Sequence, residues 1–266
     1  MTNKHGDFIW YELMTSDADG AREFYSAVVD WNIEGKSGAP MDYRMISAAD
    51  GPVAGLMPLT DEMQSGGARP CWAGYILVDD VDASAEAATA AGGAIHMPPW
   101  DIPGIGRMAY IADPQGVTFY IMKPTPPADN PDAVSTSFAA TTPMAGHCAW
   151  NELSSTDPEA AKAFYGQLFG WVKDGEMDMG PLGKYEFWKD SGGRFGLGAV
   201  MPKMADMPIP MWMYYFRVPD IDVAVATIRA TGGQVFQEPI EIPGGDFSMV
   251  GMDPQGAPFA LVGARK

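Results

Sequence analysis

Two glutamates stand in matching frames, Trp10-Tyr-Glu12-Leu13 and Trp150-Asn-Glu152-Leu153, 140 residues apart. A carboxylate beside tryptophan in an apolar surrounding has its pKa raised, because burial disfavours the charged form. Such a group can act as a general base toward an acidic C–H, or as an acid in lyase or epimerase chemistry. A glutamate here could equally hold a wall or a loop through a hydrogen bond or ion pair. Repetition fits both roles, since a duplicated scaffold repeats its structural residues. The frames alternate, so Trp10 and Glu12 share one strand face and Tyr11 and Leu13 the other.

The same offset joins further landmarks. Phe24-Tyr25 and Trp31 recur as Phe164-Tyr165 and Trp171, Ile102-Pro-Gly104 as Ile242-Pro-Gly244, and Asp113-Pro-Gln-Gly116 as Asp253-Pro-Gln-Gly256. A period this long has the size of a domain rather than of a solenoid unit. The chain is therefore a duplicated domain. Its expected bounds are 1–124 and 144–266, with a linker rich in Pro, Ser and Asp over 125–143.

Composition narrows the function classes. Apolar residues make up 47% of the 266 and charged residues 19%, enough for a packed core in each half. A net charge of −17 repels phosphate backbones, so nucleic acid is not an expected partner. That field suits solubility and could steer cationic small molecules. No stretch approaches the roughly 18 apolar residues of a membrane span. The N-terminal residues carry no apolar signal core, and the expected location is cytoplasmic. Cys71 matches Met211 and Cys148 matches Phe8, so the cysteines read as two buried thiols rather than a duplicated site. His5, His96 and His147 are not repeated either, and no HxH or HExxH spacing occurs.

The elements that position these residues follow from periodicity and caps. Residues 8–14 alternate as a strand. Thr15-Ser-Asp17 caps a helix with Ala21, Phe24, Tyr25 and Val28 at helical spacing. Short strands fit 42–48, 53–58 and 72–78, and Asp80-Val-Asp82 caps an Ala-rich helix ending at Gly92-Gly93. Strands at 94–97, 106–111 and 117–122 follow, the last two joined by the turn Asp113-Pro-Gln-Gly116. Met97-Pro-Pro-Trp100 reads as an ordered rim loop. Each copy is thus βαβββ twice, an α+β pattern with four modules in the chain.

The frame Trp-x-Glu-Leu-x3-Asp-x6-Phe-Tyr-x5-Trp, closed by Asp-Pro-Gln-Gly-x2-Phe, resembles the vicinal oxygen chelate superfamily. That group includes glyoxalase I, the bleomycin-resistance proteins, fosfomycin-resistance enzymes and extradiol dioxygenases. The likeness is greatest to tandem two-domain glyoxalase-like proteins. It implies curved mixed sheets, each shared by two modules around a cup. It also implies a divalent metal in the cup, bound by His or Gln of the first strands and Glu of the last. Counted from the capping and turn aspartates, those positions fall on Trp10, Ala73, Tyr120, Trp150, Met213 and Ala260. None offers such a donor, so no metal and no other cofactor is expected.

The resemblance places the Trp10 face toward the cup. The first cup then receives Trp10, Glu12, Tyr75 and Tyr120; the second receives Trp150, Glu152 and Tyr215, with Ala260 leaving room. Trp72 and Trp212 point away by alternation. Arg107, facing Phe247 across the repeat, is a candidate partner for a substrate carboxylate or a solvated surface residue. Aromatic walls suit planar or apolar ligands, and are also ordinary core. The expected activity is that of a metal-independent lyase or isomerase on a small organic or aromatic substrate, with Glu12 and Glu152 as catalytic groups. Alternatives are a sequestering protein of bleomycin-resistance type, stacking its ligand on tryptophan, and a metal-dependent lactoylglutathione lyase or dioxygenase. A small-molecule ligand and a monomer or loose homodimer complete the expectation.

Overall fold

Each copy opens on a strand that feeds a capped helix. β1 (Phe8–Thr15) leads to α1 (Ala18–Val29), and the Asp17 carboxylate accepts the N–H groups of Asp19 and Gly20. This satisfies donors that the first helical turn leaves unpaired. Ala21, Phe24, Tyr25 and Val28 are buried along one stripe of α1, and Asp30 ends it in the left-handed region at φ 64°. β2 (Asn32–Ile33), β3 (Arg44–Ala48) and β4 (Gly51–Pro58) complete the first module. A short helix, α2 (Asp61–Ser65), leads to β5 (Cys71–Leu77), α3 (Val81–Ala90), β6 (Ala94–Ile102), β7 (Gly106–Ala112) and β8 (Thr118–Pro124).

The second copy repeats the order. β9 (Cys148–Ser155), α4 (Pro158–Phe169), β10 (Val172–Asp178), β11 (Lys184–Lys189) and β12 (Gly196–Pro202) form its first module. β13 (Met211–Val218), α5 (Ile221–Ala230), β14 (Gln234–Glu241), β15 (Phe247–Met252) and β16 (Pro258–Gly263) form the next. The computed structural model describes residues 3–38, 41–205 and 207–266. All four modules are βαβββ, as expected, with β2 the strand for which periodicity offered no stretch, and the class is α+β. The strands make two open eight-stranded mixed sheets, ordered β2-β3-β4-β1-β5-β8-β7-β6 and β10-β11-β12-β9-β13-β16-β15-β14. In each module the first and last strands pair in parallel and the other neighbours are antiparallel.

One local expectation fails. Met97-Pro-Pro-Trp100 is not a loop: β6 runs through it to Ile102, with its register slipping between Met97 and Trp100. β6 is an edge strand, where proline's missing N–H breaks no inner ladder and an irregularity absorbs the misfit.

The chain folds into two compact units, and each draws on both sequence copies. One comprises the stretch up to Ile9, Gly74–Ser135 and Asn151–Trp212; the other comprises Trp10–Ala73, Thr136–Trp150 and Met213–Lys266. Within each unit, landmarks of one copy bind landmarks of the other. In the Trp10–Ala73 unit, the Tyr25 hydroxyl donates to the Asp253 carboxylate at 3.1 Å and accepts the Trp72 indole N–H at 3.0 Å. In the other unit, the Tyr165 hydroxyl donates to Asp113 at 3.2 Å and accepts Trp212 N–H at 3.0 Å. The second oxygen of each aspartate closes its own turn. Asp113 accepts the N–H groups of Gln115 and Val117; Asp253 accepts those of Gln255 and Ala257.

The remaining landmarks reinforce the same exchange. Trp31 N–H donates to the carbonyl of Gly146, and Trp171 N–H to that of Gly6. Both glycines sit at positive φ, 79° and 88°, and an added Cβ would come within 3.0 Å of the donating indole nitrogen. Only glycine combines that backbone with so close an approach. Phe24 packs edge-on against Phe259, and Phe164 against Phe119. α1 lies on α5 in one unit and α3 on α4 in the other.

Burial holds the Asp113 and Asp253 carboxyls above the ordinary value of 3.8, against the backbone and tyrosine donors that favour the ion. A carboxyl with a raised folded-state pKa adds stability that is complete below the unfolded value and is lost as pH rises through the folded one. The stability advantage of the wild type over Asp253→Asn is therefore largest near the acid end of the folded range and shrinks as pH rises. Urea unfolding at a series of pH values measures it, and a constant difference would contradict the assignment.

Candidate functional site

The face of β1 that carries Glu12 is built around one close contact. Glu12 lies opposite Gly55 in the parallel β1–β4 pair, and Gly55 lies opposite Met45 of β3. Tyr43, two residues before Met45, lays its phenol where a Gly55 side chain would stand, 1.9 Å from the ideal Cβ position. There the Tyr43 hydroxyl accepts the Trp10 indole N–H at 3.0 Å and hydrogen-bonds the Glu12 carboxylate. Indole, phenol and carboxylate thus form a chain. Glu12 is only 4% exposed, while Trp10 and Tyr43 are half-buried. Burial first, and the Glu12 charge second, push the Tyr43 phenol far above its ordinary range, so it stays protonated. The same two causes push the Cys71 thiol up to about 11.

The second copy repeats the pair. Tyr185 donates to Glu152 at 2.7 Å. Glu152 lies opposite Ala199 of β12, which lies opposite Phe187 of β11, so Tyr185 occupies the place of Tyr43. Glu152 and Tyr185 are both partly exposed, and Trp150 is half-buried on β9. The residue after each tyrosine is buried and ion-paired, with opposite sense in the two copies. Arg44 reaches Asp42 and Asp19, whereas Glu186 is held by Lys162 and Lys173.

Tyr75 and Tyr120 also come together. They are register partners on β5 and β8, buried and stacked at 4.2 Å with planes 10° apart. Tyr110 of β7 adds a third ring 4.5 Å from Tyr120, and Trp100 of β6 meets the same ring edge-on. In the second copy Tyr215 is paired with Ala260, and Val250 of β15 follows. Trp72 and Trp212 lie on the helix side, bonded to Tyr25 and Tyr165. Arg107 is engaged elsewhere: Asp82 takes two of its N–H groups and Asp101 a third. In the second copy Asp222 is instead paired by Arg265, which covers the Phe247 ring at 4.2 Å.

The residues that periodicity missed are Tyr43 and Tyr185. They are 142 apart rather than 140, so the constant offset passes over them. Their distances behind Glu12 and Glu152 differ by the same two residues, the signature of unequal loops before β3 and β11. Among the described residues no three His, Cys, Asp or Glu side chains gather where they could hold a metal ion. The donors these strand faces offer are single carboxylates bonded to phenols, together with indole and thiol groups. They do not make the His and carboxylate set that a catalytic divalent metal requires. No described helix is long and apolar enough to cross a membrane.

Comparison with known proteins places this architecture. Residues 8–121 match the family described as "Glyoxalase/Bleomycin resistance protein/Dioxygenase superfamily", and residues 151–262 match "Glyoxalase-like domain". "Putative glyoxylase CFP32" of Mycobacterium tuberculosis is 33% identical over 95% of this chain and 93% of its own length. "Anthracycline biosynthesis protein DauV" of Streptomyces sp. is 25% identical over 97% of this chain and 93% of its own. Among solved structures, the Mn(II)-bound glyoxalase of Novosphingobium aromaticivorans superposes with a TM-score of 0.63 at 16% identity, over 99% of this chain and 83% of that one. The chain belongs to the glyoxalase/bleomycin resistance/dioxygenase superfamily as a tandem two-domain member.

The thiol reports on the carboxylate beside it. Cys71, pushed up to about 11, should react slowly with iodoacetamide at pH 8. Glu12→Gln removes a charge that opposes the thiolate and should speed that alkylation. An unchanged rate would separate the two residues.

Proposed function

We propose that the chain is a metal-independent lyase or isomerase of this superfamily, acting on a small organic substrate. The observation that supports it is the repeated carboxylate held by a tyrosine, Glu12 by Tyr43 and Glu152 by Tyr185. An ionised carboxylate is an acceptor at both oxygens, and a carboxylate of this kind can serve as a general base. It takes a proton from carbon next to a substrate carbonyl. The C–H electron pair becomes the enolate double bond, and the carbonyl π pair moves to oxygen. Return of the proton to the same carbon from the other face inverts it, and return to the γ-carbon of an unsaturated substrate shifts its double bond, either one an isomerisation; expulsion of a β-substituent with its electron pair completes an elimination. Carbonyl-rich planar compounds suit the aromatic strand faces, and an anthracycline biosynthesis protein among the relatives points the same way.

A second reading is a sequestering protein without turnover, which the aromatic row Tyr75–Tyr120–Tyr110 favours. Glu12→Gln combined with Glu152→Gln separates the two. As an enzyme, the double variant loses about 100-fold or more in solvent-deuterium incorporation into a carbonyl substrate, with affinity kept. Incorporation that persists in the double variant, or that is absent from the wild type, would favour the binder. Incorporation that a chelator abolishes, with a stoichiometric transition metal in the protein, would overturn metal independence.

A further inference from the structure

We infer that the two carboxylates are unequal, and that Glu152 with Tyr185 is the pair that meets substrate while Glu12 is shut in by Tyr43. The inference rests on the reading above. Glu12 is 4% exposed, whereas Glu152, at the same place in its module, is partly open. The closure has an identifiable cause. Gly55 has no side chain, so the Tyr43 phenol drops onto the strand, and Trp10 N–H holds it there from one side as it bonds Glu12 on the other. At the matching position β12 carries Ala199, whose methyl fills that space. Tyr185 bonds Glu152 at 2.7 Å, and that carboxylate stays partly exposed. Gly55 against Ala199 is therefore the choice that decides which carboxylate is reachable.

Carboxylate footprinting of the intact protein tests this without any assay of turnover. A water-soluble carbodiimide with glycinamide converts reachable carboxylates to amides, read by peptide mass spectrometry. Glu152 should be modified at least tenfold faster than Glu12. Gly55→Ala, which has no room for the phenol, should bring Glu12 to within about threefold of Glu152. Tyr43→Ala removes the cover by another route and should do the same. Equal rates in the wild type would overturn the inference, as would a Glu12 that stays protected in both folded variants. If the asymmetry holds while no carbonyl compound exchanges deuterium, the proposed activity fails and the unequal access stands.

Discussion

A buried tyrosine hydroxyl donating to a buried aspartate carboxylate, made once in each compact unit, is the contact on which the rest depends. Tyr25 comes from the first helix of one copy and Asp253 from the last turn of the other; Tyr165 and Asp113 repeat the pair with the copies exchanged. Each aspartate also ties down its own turn through two backbone N–H groups. Each tyrosine also accepts an indole N–H from the strand beneath it. Helix, turn and strand thus meet at one oxygen. Removing a partner would leave a buried polar group unsatisfied, which costs about 1–3 kcal/mol. This explains why the chain repeats Phe-Tyr, Trp and Asp-Pro-Gln-Gly together. They are two halves of one contact, and the duplication supplies each half twice.

Strand alternation separates that scaffold from the chemistry. Trp72 and Trp212 face the helices, while Tyr75 and Tyr215, three residues on, fall on the other side of the same strands. On β1, Tyr11 and Leu13 are fully buried in the core, where Tyr11 packs edge-on against Tyr214. Glu12 between them turns to Tyr43. The scaffold face keeps Leu13 and Leu153, Phe24-Tyr25 and Phe164-Tyr165, Trp31 and Trp171, and Trp72 and Trp212 in both copies, although Tyr11 stands against Asn151. The other face has diverged, with Gly55 against Ala199, Tyr120 against Ala260 and Tyr110 against Val250. One duplicated fold therefore carries two unlike surfaces.

Much of this is legible in the sequence, for reasons that separate cleanly. Caps, alternation and the 140-residue offset identify the modules because those signals are local or purely periodic. The pairing of Tyr25 with Asp253 is not legible. The offset makes Asp113 and Asp253 equivalent, and nothing local says which of them a given tyrosine meets. Tyr43 and Tyr185 escape because two extra residues precede the second, so a fixed-offset comparison sets Tyr43 against Gly183. Gly55 gains meaning only once a phenol is seen in its place. Pro98 and Pro99 read as loop residues because the tolerance of an edge strand is a property of the assembled sheet.

The exchanged tyrosine–aspartate bond is tested most directly by a double-mutant cycle on Tyr165 and Asp113. Unfolding free energies of the wild type, Tyr165→Phe, Asp113→Asn and the double variant give the coupling free of each residue's other contacts. A bond that holds the unit together predicts a favourable coupling of about 0.5–3 kcal/mol, matched by the Tyr25–Asp253 pair. A coupling indistinguishable from zero in both pairs would contradict it.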